Sequence, residues 1–171
     1  ATLAPQVLID RHGDASTLPG GRPVEDGDAL VIATSGTSGS PKGIVHTHRA
    51  LEYMAFATST ALGVDDEARW LVALPLNHIG GFSILPRALH TGAGLEILPR
   101  FDATAVEAAA RAGATHASLV TTALGRIDAS LFRRILLGGS AIPAERPANC
   151  VATYGMTETA GGIVYDGLAL N

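Results

Sequence analysis

Residues 34–43 combine the side chains and backbone freedom that suit binding of an oligophosphate. Their sequence, TSGTSGSPKG, holds five hydroxyl side chains, three glycines and one lysine. Glycines let backbone N–H groups approach phosphate oxygens closely, and Lys42 supplies a compact positive charge. Lys42 is also the sole lysine among 12 basic residues, although codon bias toward arginine is an alternative reason for that. The segment predicts a phosphate-binding loop, with a flexible Gly/Ser linker as the alternative interpretation.

This loop differs from the Walker A sequence of P-loop NTPases. Pro41 stands where that pattern needs the glycine before the lysine, and Gly43 follows Lys42 in place of a serine or threonine. Both departures remove residues that the Walker A loop uses to hold phosphate and Mg²⁺. The sequence therefore disfavours a P-loop NTPase.

A second candidate segment, YGMTET, occupies residues 154–159. Tyr154 is an aromatic side chain that could stack on a base, Thr157 offers a hydroxyl to a phosphate, and Glu158 offers a carboxylate to Mg²⁺. Threonine and glutamate in such a turn also occur as ordinary helix capping. Taken alone, the segment leaves both interpretations open.

The hydrophobic pattern indicates the elements that must position these segments. Short apolar runs predict strands, and they alternate with amphipathic stretches that predict helices. One predicted helix begins after Thr47, buries a face and stops at Gly63. The buried face of this first helix is predicted to comprise Leu51, Met54, Ala55 and Thr58. Further helices are predicted at residues 81–90 and 102–112. The strands are predicted at residues 29–33, 70–74, 95–98, 115–120, 135–137 and 150–154. The fold class is therefore α/β, a β-sheet with helices on both faces.

Glycine-rich or polar clusters follow several of the predicted strands. They occupy residues 35–43, 75–81, 138–140 and 155–162. Ligands of open α/β sheets bind beyond the carboxyl ends of the strands. We therefore expect these four clusters to converge on one crevice.

Composition narrows the classes of function. The chain has 171 residues, 47% of them hydrophobic, and a formal net charge of −4. This balance provides no basic surface for nucleic acid, and no apolar run is long enough for a membrane span. A single cysteine, Cys150, cannot form an internal disulfide, and its predicted place in a buried strand without a nearby base makes it an inert thiol. We expect one cytoplasmic globular domain that binds neither nucleic acid nor membrane.

Taken together, the two candidate segments resemble motifs of the adenylate-forming (AMP-binding) superfamily of acyl-CoA synthetases, luciferases and peptide-synthetase adenylation domains. TSGTSGSPKG resembles its phosphate loop, and YGMTET resembles its aromatic-Gly-x-Thr-Glu motif. Between them, residues 74–81 (LPLNHIGG) are similar to the family's Pro-x-x-His-x-x-Gly segment, and residues 138–141 (GGSA) to the stretch that lines adenine. The resemblance implies that the chain forms part of the large N-terminal domain of such an enzyme.

The resemblance also implies roles for particular residues. Lys42 and the loop around it would contact the β and γ phosphates of ATP. Catalytic roles would fall to His78, between adenylate and acyl pocket, to Thr157 on the α phosphate, to Glu158 on Mg²⁺, and to Lys42. The remaining implied contacts are Thr34, Ser35, Gly36, Thr37, Ser38 and Gly39 for phosphate, Gly138, Gly139, Ser140, Ala141, Tyr154 and Gly155 for the nucleotide, and Ser83, Leu119, Val120, Gly161 and Gly162 for the acid. A surface-loop histidine is the alternative interpretation of His78.

Within this superfamily the chain most resembles the o-succinylbenzoate:CoA ligases of menaquinone biosynthesis. The softer similarities lie at residues 118–121 (SLVT) and 164–167 (VYDG). The implied activity uses ATP and Mg²⁺ to adenylate o-succinylbenzoate and then transfers the acyl group to CoA as co-substrate. Two alternatives remain open: another aryl- or acyl-CoA synthetase, and a non-catalytic nucleotide-binding module.

The resemblance covers the superfamily's motifs only as far as the YGMTET segment. Residues 1–171 would therefore be a partial N-terminal adenylation domain, without the family's ribose-binding aspartate and mobile C-terminal domain. We expect such a chain to be inactive alone. Because a truncated domain exposes apolar surface, we also expect self-association into a homo-oligomer.

The other histidines indicate no chemistry. His46 and His48 alternate as metal ligands can, but the sequence offers no further ligand nearby, and a structural zinc ion usually takes four. His12, His90 and His116 are interpreted as surface or hydrogen-bonded residues. The only metal predicted is therefore the Mg²⁺ that accompanies ATP.

Overall fold

The structure is a computed structural model that describes residues 7–9, 15–17, 19–20, 25–34 and 42–170. The chain divides into two compact units, residues 1–48 and residues 49–171. Within the described ranges, no helix is long and apolar enough to cross a membrane.

In the described part of the first unit, the chain forms two short antiparallel strand pairs. Strands β1 (Val7–Ile9) and β2 (Ala15–Thr17) form one pair. Strands β3 (Asp28–Thr34) and β4 (Lys42–Thr47) form the other. The predicted strand at residues 29–33 is confirmed as part of β3, whereas β4 was not predicted. The helix predicted after Thr47 is confirmed, since it begins at His48, and β4 occupies the residues between the predicted loop and this helix.

The second unit is built around a seven-stranded sheet. In chain order the strands are β5 (Arg69–Val72), β6 (Gly94–Ile97), β7 (His116–Leu119), β8 (Arg134–Leu137), β9 (Cys150–Met156), β10 (Gly161–Tyr165) and β11 (Leu168–Ala169). Their spatial order is β11-β10-β9-β8-β7-β5-β6. The five strands from β9 to β6 are parallel, and β10 and β11 add an antiparallel hairpin. The α/β class is confirmed, as a mixed sheet.

One helix precedes the parallel strands, and others connect β5 to β6, β6 to β7 and β7 to β8. The helices are α1 (His48–Leu62), α2 (Ile79–Phe82), α3 (Ile84–Thr91), α4 (Ala103–Arg111) and α5 (Thr121–Leu124), with 3₁₀ turns at Ala129–Leu131 and Thr157–Thr159. The predicted buried face of α1 is confirmed. Helix α4 begins where predicted, because the side chain of Asp102 accepts a hydrogen bond from the backbone N–H of Ala105 at 2.9 Å.

The single helix predicted at residues 81–90 is two helices in the structure, α2 and α3. They meet at Ser83, which caps the end of α2 and the start of α3. Pro86 has no backbone N–H to donate to the carbonyl of Phe82 four residues earlier, but it is tolerated in the first turn of a new helix. The proline therefore explains why the helix restarts before it.

Alternating side chains of the sheet create a hydrophobic core on each face. On β5, Leu71 packs into the cluster that includes Val106 of α4 and Ala123 of α5. Trp70 and Val72 point to the other face, where Ile84 and Ala88 of α3 and Leu62 of α1 cover them. All three β5 side chains are fully buried. The prediction of helices on both faces of the sheet is therefore confirmed.

Candidate functional site

A cavity of about 360 Å³ lies at the carboxyl ends of β5, β7, β8 and β9. Its volume falls within the range of small-molecule sites, and its place at the edge of a parallel sheet is where α/β proteins bind ligands. Three of the four predicted clusters contribute to it, through residues following β5, β8 and β9. The residues that line it include His78, Ser83, Arg87, Ser118, Leu119, Val120, Gly138, Gly139, Thr153, Gly155, Thr157, Gly161, Gly162 and Tyr165.

The fourth predicted cluster belongs to the first unit. Thr34 and Lys42 pair across the end of the β3–β4 hairpin, and the hydroxyl of Thr34 donates a hydrogen bond to the carbonyl of Lys42 at 3.4 Å. The two residues thus begin and end the connection that carries the predicted phosphate loop. The other predicted phosphate contacts, Ser35, Gly36, Thr37, Ser38 and Gly39, lie outside the described residues. The role of this loop stays a prediction.

The wall of the cavity formed by β9 and β10 depends on a close backbone approach. Gly155 pairs with Gly162, and a β-carbon at position 155 would lie only 2.0 Å from the carbonyl oxygen of Gly161. No side chain fits in that space, so the glycine next to Tyr154 is required by the hairpin itself. The neighbouring Thr159 is also structural, because its hydroxyl accepts from the backbone N–H of Met156 at 3.0 Å.

The residues of the YGMTET segment differ in whether they line the cavity. Thr157 lines the cavity. Tyr154 and Glu158, which lie close to Thr157 in the sequence, are exposed. The ion pairs found among the described residues do not include Glu158. The role of Glu158 in holding Mg²⁺ stays a prediction. Of the predicted adenine contacts, Gly138 and Gly139 line the cavity, whereas Ser140 and Ala141 are not among its lining residues.

The predicted acid-binding residues come together in the cavity. Ser83, Leu119, Val120, Gly161 and Gly162 all line it. His78 lines it as well, as the exposed residue that precedes α2, and the carbonyl of His78 accepts from the N–H of Phe82 at 3.0 Å. This backbone bond fixes the start of α2 and does not involve the imidazole of His78. Its function stays a prediction.

Sequence analysis missed Arg87, the most unusual residue of the cavity. Arg87 lies on α3 among the buried residues Ile84 and Ala88 and is only 3% exposed. Helical spacing from Ile84 places position 87 on the apolar face, and a charged residue on that face was the available signal. Burial lowers the pKa of Arg87 by desolvation, and the nearby Tyr165 partly opposes this shift.

No carboxylate among the described residues pairs with Arg87. Its Nε donates to the hydroxyl of Thr58 at 3.1 Å, and its Nη2 donates to that of Ser83 at 3.0 Å. Its Nη1 is buried without a hydrogen-bond partner within the described part of the chain. Buried charges are normally paired, because desolvation of an isolated ion is costly. A guanidinium left unpaired at the wall of a cavity is suited to an anionic ligand.

The described residues contain no group of three histidine, cysteine, aspartate or glutamate side chains placed to hold a metal ion. His46 is buried in β4, and His48 is exposed at the start of α1. His12 lies outside the described residues. His116 is buried, with its Nδ1 2.8 Å from the hydroxyl of Thr115, which confirms its interpretation as a hydrogen-bonded residue.

The fold and the cavity define an α/β protein with a small-molecule-sized cavity at the carboxyl ends of a parallel sheet. The family model of AMP-binding enzymes matches residues 5–170. The chain therefore belongs to the AMP-binding enzyme family, as the resemblance of its motifs predicts.

Proteins similar to this chain include acid:CoA ligases. A probable 2-succinylbenzoate–CoA ligase of Mycobacterium tuberculosis is 36% identical over 179 residues, which cover 88% of this chain and 44% of that protein. The 2-succinylbenzoate–CoA ligase of Bacillus licheniformis is 36% identical over 152 residues, which cover 81% of this chain and 32% of that protein. The chain thus spans between about a third and somewhat under half of the length of these curated relatives.

Solved structures of o-succinylbenzoate CoA synthetase from Bacillus subtilis share the fold. The complex with the acyl-adenylate intermediate superimposes with a TM-score of 0.73 at 33% identity, covering 79% of this chain and 31% of that one. The complex with ATP and magnesium ion gives a TM-score of 0.71 at 34% identity, with the same coverage. Those proteins bind ATP, magnesium and an acyl-adenylate, and part of each shares the architecture described above.

Proposed function

We propose that this chain carries nucleotide- and acid-binding parts of an AMP-forming acid:CoA ligase whose acid is o-succinylbenzoate. Residues 1–171 would correspond to part of the large N-terminal domain of such an enzyme. Family membership and the names of the relatives support the reaction class. ATP and CoA would be its co-substrates and Mg²⁺ its metal. Both co-substrates are supplied in the cytoplasm, which is where we place the reaction.

The observation that carries the choice of acid is the buried, unpaired guanidinium of Arg87. o-Succinylbenzoate has two carboxylates, and only one of them can be adenylated in a given reaction. The other remains an anion inside the acid pocket and needs a cationic partner to offset its desolvation. Simple aryl or fatty acids have no second carboxylate and would leave Arg87 unpaired. The cavity therefore favours a dicarboxylate over the alternative acyl-CoA synthetase substrates.

The acid would lie between the ends of β7 and β10. Leu119 and Val120 supply apolar surface, while Gly161 leaves room on the facing wall, and all three line the cavity. Ser83 lies at the same wall, where its hydroxyl accepts from Arg87. Apolar walls around one fixed cation orient a flat aromatic dicarboxylate in a single way. That orientation would present the other carboxylate toward the nucleotide.

The nucleotide would occupy the side of the cavity formed by the ends of β8 and β9. Gly138, Gly139 and Gly155 line this side and offer backbone surface to the adenine, with Tyr154 as the proposed stacking partner. Thr157 would donate its hydroxyl to the α phosphate. Residues 34–42 of the first unit would hold the outer phosphates, with Lys42 as the cation. Glu158 would hold Mg²⁺, which neutralises charge on the phosphates.

The chemistry proceeds in two displacements. A carboxylate oxygen of the acid attacks the α phosphorus of ATP, and pyrophosphate leaves with the electrons of the broken P–O bond. The sulfur of CoA then attacks the acyl carbon, AMP leaves, and the thiol proton passes to solvent. Orientation of two mutually repelling anions is the main task of the protein in the first step, and His78 stands at the cavity where they meet.

Equilibrium titration of the chain with a matched set of acids tests this proposal. We expect o-succinylbenzoate to bind more tightly than benzoate or a fatty acid, because only the former offers a second carboxylate to Arg87. Arg87→Met keeps an unbranched apolar side chain in place of the arginine stem but removes the guanidinium and its charge. This variant should bind o-succinylbenzoate roughly tenfold or more weakly, as expected for loss of a charged hydrogen bond.

The control ligands decide between the alternatives. Tighter binding of benzoate or a fatty acid than of o-succinylbenzoate would identify another acyl-CoA synthetase substrate. Binding of ATP with Mg²⁺ but of none of the acids would instead indicate a nucleotide-binding module. Equal affinity of Arg87→Met and the unaltered chain for o-succinylbenzoate would contradict the role given to the guanidinium.

A further inference from the structure

A second buried polar group lies beside Arg87, and among the described residues it has no partner other than that guanidinium. The hydroxyl of Tyr165 is buried, and the residue as a whole is 6% exposed. Tyr165 and Arg87 line the same cavity. Unsatisfied buried polar groups are rare because each costs free energy, so two of them at one wall of a cavity point to a missing ligand.

The guanidinium of Arg87 is held firmly enough to present one particular nitrogen. Thr58 accepts from Nε, and the Thr58 hydroxyl is itself fixed because it donates to the carbonyl of Met54 at 2.7 Å. Ser83 accepts from Nη2, and the carbon of the guanidinium lies 5.5 Å from the ring centre of Trp70. These contacts leave Nη1 as the donor available to a ligand.

The phenol of Tyr165 is held just as specifically. The residue ends β10, opposite Thr153 of β9, and its ring packs in the core cluster with Trp70 and Val151. A β-carbon at Gly162 would lie 2.5 Å from the Tyr165 hydroxyl, so the absence of a side chain at position 162 makes room for it. Sequence analysis assigned Gly162 to the acid; the structure shows that it also accommodates the phenol.

The protonation states suit a pair of donors. Burial raises the pKa of Tyr165, and the positive charge of Arg87 opposes only part of that shift. The phenol therefore remains neutral near pH 7 and keeps its proton, while the guanidinium remains charged. A carboxylate has acceptor sites enough for both groups, whereas an uncharged ligand would leave the guanidinium without a counter-charge.

We infer that Tyr165 acts with Arg87 to bind the carboxylate of the acid that is not adenylated, with the Tyr165 hydroxyl and Arg87 Nη1 as its two donors. This inference rests on the proposed function, since it takes the acid to be a dicarboxylate. Tyr165 is then a specificity-determining residue: it discriminates between acids that carry the second carboxylate and acids that lack it. A tyrosine that only fills the core would make no such distinction.

The test compares Tyr165→Phe with the unaltered chain on three acids. Phenylalanine keeps the ring in the core and removes only the hydroxyl. The acids are o-succinylbenzoate, 4-oxo-4-phenylbutanoate, which lacks the ring carboxylate, and 2-butanoylbenzoate, which lacks the side-chain carboxylate. Tyr53→Phe is the matched control, because Tyr53 is 60% exposed on α1 and does not line the cavity.

We expect Tyr165→Phe to lower the affinity for o-succinylbenzoate roughly tenfold. The affinity for one of the two monoacids should change by less than about twofold. The insensitive monoacid identifies the carboxylate that the pair binds. Thermal unfolding without ligand should change only slightly, because Arg87, the polar neighbour of the deleted hydroxyl, keeps its hydrogen bonds to Thr58 and Ser83. Tyr53→Phe should alter neither property.

The outcomes separate this inference from the proposed function. If the unaltered chain binds o-succinylbenzoate no better than both monoacids, the dicarboxylate assignment itself fails. If the unaltered chain prefers o-succinylbenzoate and Tyr165→Phe keeps the full preference, only the role of Tyr165 is overturned. Equal weakening of all three acids by Tyr165→Phe would also overturn it, because that result indicates a purely structural role.

Discussion

At the scale of single residues, the cavity is defined by polar groups that the fold leaves unsatisfied. Thr58 and Ser83 occupy two nitrogens of Arg87, and a third nitrogen remains for a ligand. Satisfying this group inside the protein would have needed one carboxylate on a neighbouring element. Its absence ties the free energy of folding to that of binding, since a ligand that pairs the guanidinium stabilises the folded chain.

Lys42 provides a residue-scale prediction about the nucleotide. Lys42→Ala should lower the affinity for ATP more than the affinity for AMP, because the proposed loop contacts the outer phosphates that AMP lacks. Loss of one charge-assisted contact costs on the order of 1.5–3 kcal/mol. Calorimetric titration of both nucleotides in the presence of Mg²⁺ measures the difference.

Arg100→Ala is the control for the loss of one positive charge, because Arg100 is exposed in the loop that precedes α4. It should leave both affinities nearly unchanged. A Lys42→Ala variant that loses the same factor for ATP and AMP would show that the loop does not contact the outer phosphates.

At the scale of elements, the sequence patterns predicted the parallel strands better than the hairpins. Strands β5, β7 and β8 are short apolar runs buried on both faces, and such runs are easy to recognise. Strand β4 has a mixed pattern, KGIVHT, and its pairing with β3 across a glycine-rich connection cannot be read from periodicity. Strands β10 and β11 were also missed.

The cavity wall on β10 was unpredictable for a related reason. The register between β9 and β10 shifts between Gly162 and Val164, so strict alternation fails along this strand. Tyr165 therefore could not be assigned to the core or to the cavity by counting residues. Arg87 is the opposite case, because its helical position predicted burial, and only its charge argued against that inference.

His116 on β7 provides an element-scale prediction about pH. Burial, together with the nearby positive charges of Arg133 and Arg134, lowers its pKa from 6.5 to about 4 against the opposing effect of Asp65. The unfolded chain, with a histidine pKa near 6.5, binds the proton more readily than the folded chain. Stability from this residue is therefore complete above about pH 6.5 and is lost as the pH falls toward 4.

Denaturant unfolding of the unaltered chain and of His116→Gln between pH 7.5 and 4 tests this expectation. Glutamine can still hydrogen-bond to Thr115 but does not titrate in this range. The unaltered chain should lose on the order of 2–3 kcal/mol more stability than the variant over that interval. Parallel curves for the two proteins would contradict the buried, neutral state of His116.

At the scale of the whole molecule, the chain combines a small strand-paired unit with a larger sheet unit that holds the cavity. Motif order predicted the family correctly, because the glycine-rich segments follow strands in the way that a phosphate- and nucleotide-binding architecture requires. The choice of acid depends on the cavity, where Arg87 and Tyr165 were recognised only once their side chains had been placed. The resemblance of sequence motifs thus indicated both the family and the acid, whereas the residues proposed to recognise that acid needed three-dimensional packing.

The central claim is that one site binds the acid and the nucleotide side by side. A stable acyl-sulfamate analogue of o-succinylbenzoyl adenylate joins both parts, so its titration against the chain is the most direct measurement. We predict that it binds at least roughly a hundredfold more tightly than AMP or o-succinylbenzoate alone, because linking two ligands makes the second contact intramolecular. Both separate ligands should compete with it. A shared site would be contradicted if the analogue binds no more tightly than the tighter-binding of AMP and o-succinylbenzoate. It would also be contradicted if the analogue fails to displace either of these two ligands.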